Sequence, residues 1–225
     1  MRRKLQRGVA YIEFALSLLV LVPLLLGVVG IGLSMHRQLQ TVQLARDAGH
    51  MFARSSTSFF TVLGNQQILS GIAGSLGLTS TGGAVGTSGS GTAEVILSEV
   101  RYMDVSACGL AGFTTLGSGG VPTGCTNYNK WVFAQRLVLG NSALLTSNLG
   151  TPAASIVASD GTITITHQAT ITTDVATITG FNPWNSTTST GLPSGQWVYV
   201  AEASATGFQM PPFSSGTDTY AQVYF

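Results

Sequence analysis

Residues 14–33 read FALSLLVLVPLLLGVVGIGL, an unbroken apolar run without a charge. At a rise of about 1.5 Å per residue, a helix of that length spans about 30 Å, one hydrocarbon thickness. Beyond Leu33, Leu39, Val42, Ala45, Gly49 and Phe52 recur at three- and four-residue spacing, with Arg37, Gln38, Arg46 and Asp47 elsewhere on the wheel. That periodicity predicts an amphipathic continuation of the same helix. One helix from Val9 to about Arg54 would run about 70 Å, its first half in lipid and its second half presenting an apolar stripe to a core. A second short helix is expected over Gln66–Leu76. Residues 79–92, TSTGGAVGTSGSGT, offer too little apolar area to order themselves and read as a loop.

Strand patterns follow. Ile163, Ile165, His167, Ala169 and Ile171 alternate with Thr162, Thr164, Thr166, Gln168, Thr170 and Thr172, which predicts a half-buried strand over 162–172. Trp131, Phe133, Leu137 and Leu139 alternate similarly, as do Trp197, Tyr199, Ala201 and Ala203; residues 94–104 and 219–225 are further candidates. Five strands joined by turn-rich links point to one antiparallel sheet. The fold class is therefore α+β, a long N-terminal transmembrane and amphipathic helix packed on an antiparallel β-sheet domain.

Composition narrows the functional classes. Charged residues make up 8% of the chain, where a soluble domain usually carries about a quarter. Arg2, Arg3, Lys4 and Arg7 crowd the N-terminus, while Arg37, Arg46, Arg54, Arg101, Lys130 and Arg136 are scattered. A nucleic-acid interface would cluster them along one face, so no nucleic-acid partner is expected. The basic block should stay cytoplasmic by the positive-inside rule, which places the rest of the chain across the membrane. The chain carries no nucleophile elbow, phosphate-binding glycine loop, C-x-x-C or H-E-x-x-H motif. His36, His50 and His167 read as structural residues. The acids Glu94, Glu99, Asp104, Asp160, Asp174, Glu202 and Asp218 are too sparse to suggest a catalytic pair. No enzyme, no cofactor and no metal site is expected. Cys108 and Cys125, the only two cysteines, should form a disulfide in an oxidising compartment, closing a glycine-rich loop around Gly117–Gly120.

Three readings compete for the N-terminus. A cleaved secretory signal needs a shorter apolar core and a small-x-small site, and the sequence after Leu33 offers a poor one. A plain signal anchor is the second. The third turns on Glu13, a lone carboxylate at the start of an apolar helix, where an ionisable group is costly and usually kept for a purpose. Cutting after Gly8 would make Glu13 the fifth residue of the shortened chain. Gly8 would admit a protease close to the backbone, and Pro23 should kink the apolar helix.

The basic leader, Gly8 and the Glu13 spacing resemble the prepilin-peptidase signature of type IV pilins and pseudopilins. Glu13-Phe14 followed by a Leu/Val-rich run containing Pro23 looks most like the TadE-like pseudopilins of the tight-adherence (Flp) pilus system. Val9, Tyr11 and Ile12 depart from the Phe or Met after the glycine, and the Thr-Leu before the glutamate, of the type IVa and type II secretion branches. The resemblance covers residues 1 to about 55. It implies a leader over 1–8, a membrane helix with amphipathic extension over 9–57, a short helix and loop over 58–92, and an extracytoplasmic β-rich domain over 93–225. It implies a structural or assembly subunit, cut between Gly8 and Val9, whose Glu13 meets the new Val9 α-amine of a neighbouring copy. The implied partners are a prepilin peptidase, other pilin or pseudopilin subunits, an inner-membrane assembly platform and the lipid bilayer. The implied place is the bacterial inner membrane, single-pass, with the N-terminus cytoplasmic. The competing reading is an uncut, signal-anchored periplasmic domain that binds or senses.

Overall fold

In the computed structural model, residues 2–55, 63–79, 82–83, 90–176, 197–211 and 214–225 are described. The chain opens in α1 (Arg2–Arg54), a helix of 53 residues with Pro23 inside it. Among the described residues it is the helix long and apolar enough to cross a membrane. The residues from Ala10 to Leu25 are all exposed. A bare apolar surface of that length requires lipid or other helices around it.

The upper part of α1 is a core helix. Thr41, Leu44, Ala45, Ala48 and Phe52 are each at most 2% exposed. The expected stripe holds at Ala45, Gly49 and Phe52, which are buried, and at Val42, which packs against the core, while Leu39 faces outward at 63% exposure. Small side chains set the contact. Ala45 and Ala48 on α1 share one core with Ala201, Ala203, Ala205 and Ala221 of the sheet, and Gly49 leaves room for the Phe225 ring.

After α1 come α2 (Leu63–Ile72) and a 3-10 turn over Gly74–Leu76, in the place expected for a second helix. The elements then run β1 (Gly82–Gly83), β2 (Ala93–Tyr102), α3 (Val105–Leu110), β3 (Trp131–Gly140), α4 (Ile165–Thr170), β4 (Trp197–Ala205), β5 (Gln209–Met210), β6 (Ser214–Ser215) and β7 (Thr219–Tyr224). Of the expected loop at 79–92, residues 80–81 and 84–89 lie outside the described set. The main sheet is antiparallel with order β1-β3-β2-β4-β7, and β5 and β6 form a separate hairpin. A register shift at Glu99/Val100 marks a bulge in β2. This is the α+β architecture of a long apolar helix on an antiparallel sheet.

The direction of the strands follows from their contacts with α1. Arg37 donates to the Thr206 carbonyl at 2.5 Å, while fifteen residues up the helix Phe52 stacks edge-on against Tyr199. The end of β4 that carries Ala205 therefore lies toward the apolar run. The ends that carry Tyr102 of β2 and Trp131 of β3 lie away from it. The segment 105–129, which has no acidic or basic residue, occupies that far end.

One expected strand is absent. Residues 162–172 form no strand: Thr162 makes a single bridge to Gln135 of β3, the Ile163 N–H donates to the Ala134 carbonyl at 2.9 Å, and the chain then turns into α4. Thr164 is the reason: its hydroxyl accepts from the His167 N–H and caps the helix. The threonines that suggested a polar strand face act as local hydrogen-bonding groups, so His167 sits on a helix. Gly161, at φ +84°, makes the turn into this segment and hands its carbonyl to the Arg136 N–H at 2.9 Å. A side chain at Gly161 would collide with Leu137.

Residues 141–176 cover the face of the sheet opposite α1. Beneath them Val100, Phe133, Leu149, Ile163, Ala176, Val198 and Val200 form a second core. A third, around Met103, Ala107, Val132 and Ala169, surrounds the Cys108–Cys125 disulfide, whose Cα atoms are 5.9 Å apart.

Candidate functional site

The sequence places its chemistry at the start of α1. The backbone is helical from Arg2 onward, so Arg2, Arg3, Lys4, Arg7, Gly8 and Val9 continue into one helix with Glu13. The side chains of residues 2–9 lie outside the described set. Glu13 is exposed, Phe14 beside it is 63% exposed, and no hydrogen bond or ion pair reaches the Glu13 carboxylate from any described residue. The Glu13 carbonyl accepts from the Ser17 hydroxyl at 2.9 Å, one turn on. Twenty-four residues separate Glu13 from Arg37, about 36 Å along the axis. The sheet domain is thus far from the carboxylate.

Arg37 marks the junction with the domain. It lies four residues past Leu33, the end of the apolar run, and bonds to Thr206. One turn on, Thr41 and Thr219 share a buried hydroxyl–hydroxyl hydrogen bond of 2.7 Å, and the Thr219 hydroxyl also reaches the Ala205 carbonyl at 3.1 Å. These bonds pin β4 and β7 to α1 just above the apolar run. The top of the contact is held by the Phe225 ring, 4.6 Å from the His50 ring and seated against Gly49.

On the opposite face the structure assembles a group that the sequence did not reveal. Glu94 of β2, Arg136 of β3 and Glu202 of β4 are at most 2% exposed. The Glu94 carboxylate accepts the Leu145 N–H at 2.8 Å. Glu202 accepts from the Ser147 hydroxyl, from the Asn148 N–H at 3.1 Å and from the Tyr220 hydroxyl at 2.9 Å. Arg136 donates to Ser98 at 2.8 Å and to Ser147 at 3.2 Å. Burial pushes Glu94 up to about 7, against the lowering effect of the Leu145 and Leu144 N–H groups and Arg136. Burial likewise drives Arg136 down to about 10, and the two carboxylates oppose that fall. The network straps residues 144–149 to the sheet. Adjacent strands bring the three charges together through register alone: Glu94 and Gly140 pair, as do Ile96 and Glu202, and Ser98 and Arg136. The signal in the chain was weak: Glu94 and Ser98 share one face of β2 with Ile96 between them, and Glu202 and Ser204 share one face of β4.

No group of three His, Cys, Asp or Glu side chains able to hold a metal is found among the described residues. The comparisons with known proteins bear on the helix. Residues 8–50 match the family model described as TadE-like protein. No curated protein and no solved structure matches the chain. The matched stretch begins at Gly8, contains Glu13, Phe14 and Pro23, and ends where α1 is buried against the sheet. Residues 8–50, with their lone carboxylate, apolar run and junction to the sheet, are thus the part of this chain that is similar to the TadE-like family.

Proposed function

We propose that this chain is a structural subunit of a tight-adherence pilus or a related secretion apparatus, cut by a prepilin peptidase between Gly8 and Val9. A TadE-like segment indicates a pilus-associated subunit; the cut and the role in assembly are our reading. The observation that carries it is Glu13, an exposed carboxylate on an apolar helix with no partner among the described residues. Cleavage would create an α-amine on Val9 that is mostly protonated at neutral pH. A cation at a helix N-terminus opposes the helix dipole. Glu13 of a neighbouring copy would neutralise it, and in low dielectric an unpaired partner is costly. Subunit register would then follow from charge pairing, with Phe14 and the bend expected at Pro23 shaping the packing of helices. The basic residues Arg2, Arg3, Lys4 and Arg7 would hold the leader on the cytoplasmic side. The partners are other pilin or pseudopilin subunits, the assembly platform and the inner membrane.

The test is N-terminal sequencing of the membrane-extracted protein from cells that hold the peptidase. A start at Val9 supports the reading. A start at Met1 leaves a tethered periplasmic domain in its place.

A further inference from the structure

At the far end of the sheet, α4 is packed against the loop that carries Asn127. The Asn127 side-chain amide donates to the Gln168 and Ile171 carbonyls, at 2.8 Å each. The Asp174 N–H donates to the same Ile171 carbonyl at 3.1 Å. Three polar side chains at this contact are almost wholly buried: Asn127 at 0%, Asp174 at 0% and Gln168 at 4% exposure. Their donors are used, since Gln168 gives its amide to the Ile163 carbonyl at 2.7 Å. Their acceptors are not. Both Asp174 carboxylate oxygens, Asn127 Oδ1 and Gln168 Oε1 are buried without a hydrogen-bond partner. Burial holds the Asp174 carboxyl up at about 8, and no neighbouring charge contributes to that shift.

Four buried acceptor oxygens without a donor are costly, because each loses its water and gains nothing. An excess of oxygens over donors is the reverse of an anion site. It is the donor set of a hard cation: a carboxylate plus amide oxygens, with no thiolate. We propose that Asp174, Asn127 and Gln168 form a site for such a cation, with Ca2+ the best match. Ca2+ accepts mixed carboxylate and amide oxygens in irregular geometry, whereas Mg2+ demands an octahedron and gives up its water reluctantly. A single carboxylate places the affinity in the weak class, about 0.1–1 mM. The site would join α4 to the Asn127 loop beside the disulfide. It is independent of the proposed assembly role of α1. One acid and two amides spread over 48 residues match no metal motif, so the site is invisible in the chain's pattern.

The full chain in detergent micelles, stripped with chelator, tests this. Tb3+ replaces Ca2+ at oxygen sites and emits when an aromatic ring lies close. Tyr128 follows Asn127, and the Trp131 carbonyl accepts the Ala176 N–H, two residues past Asp174. The expected result is saturable Tb3+ emission that Ca2+ displaces at about 1 mM, and a melting temperature raised by about 3 °C with Ca2+ in excess. Asp174→Asn should abolish both responses, its new amide giving the stranded oxygens a donor. Hydrogen exchange of the wild type locates the effect without a variant: Ca2+ should slow exchange over residues 163–176. Emission that Ca2+ does not displace, equal emission from Asp174→Asn, or unchanged exchange over 163–176 overturns the proposal. So does an Asp174→Asn protein more stable than a wild type that ignores Ca2+, which would identify Asp174 as a neutral buried acid.

Discussion

Arg37 and Thr206 are joined by a 2.5 Å hydrogen bond between the last turn of helix to leave the apolar run and the end of strand β4. The domain therefore begins where the hydrocarbon stretch stops, with no linker between them. Thr41 and Thr219 repeat the link one turn higher, out of water. Removing one hydroxyl from such a pair leaves the other short of a partner. Thr41→Val should cost about 1–2 kcal/mol, measured by denaturant unfolding in micelles. Thr41→Ser should restore most of that loss, because it keeps the hydroxyl.

Gly49 gives a second test. Any β-carbon there meets the Phe225 ring. Gly49→Ala should destabilise the domain by about 1–3 kcal/mol, since overpacking a filled contact forces rotamers or backbone to move. Combined with Phe225→Ala, the same substitution should cost much less. A thermodynamic cycle over the two variants reads the coupling directly. Strict additivity would show that helix and ring are not in contact.

Glu94 makes a pH prediction. Its folded-state value is raised to about 7 by burial. The folded chain thus holds a proton that the unfolded chain releases near pH 4.5, the ordinary value. Its contribution is fully present below about pH 4.5, declines as pH rises toward 7, and is flat above that. The whole decline is on the order of 3 kcal/mol. Glu94→Gln should flatten that part of the profile of unfolding free energy against pH. A wild-type profile that rises from pH 4.5 to 7 with no change in Glu94→Gln would contradict the assignment.

Glu13→Ala tests the proposed assembly role. The variant should still be cut after Gly8, because the carboxylate is not part of the scissile bond, yet enter a pilus or complex at least tenfold less. Mass spectrometry reads the cut, and quantitative blotting of sheared filaments or cross-linked complexes reads incorporation. Incorporation at the wild-type level would remove the charge-pairing argument.

The sequence made the ends of the molecule legible more readily than its middle. The apolar run, α1 and strands β2, β3, β4 and β7 all carry periodicities of apolar residues that their packing preserves. Residues 162–172 carry an equally clean alternation, but Thr164 caps a helix and the pattern is spent on local hydrogen bonds. On α1 both the period and the phase were legible from Val42 to Phe52, and only Leu39, at the lower end of the stripe, faces outward. The charged network of Glu94, Arg136 and Glu202 was hidden for another reason. Its members lie on three strands, and only the register between strands makes them neighbours. Arg136 looked like one of several dispersed cations until that register brought it between two acids.

The stretch 105–129 has no acidic or basic residue, presents Leu110 at 66% and Leu116 at 54% exposure, and is stapled across Cys108 and Cys125. It also lies at the end of the domain farthest from the apolar run of α1. A partner that docks on this end of the domain meets a greasy, covalently stiffened cap with no ionic field of its own. Encounters there should be nearly indifferent to ionic strength, and they lose little chain freedom on contact, because the staple has already removed it.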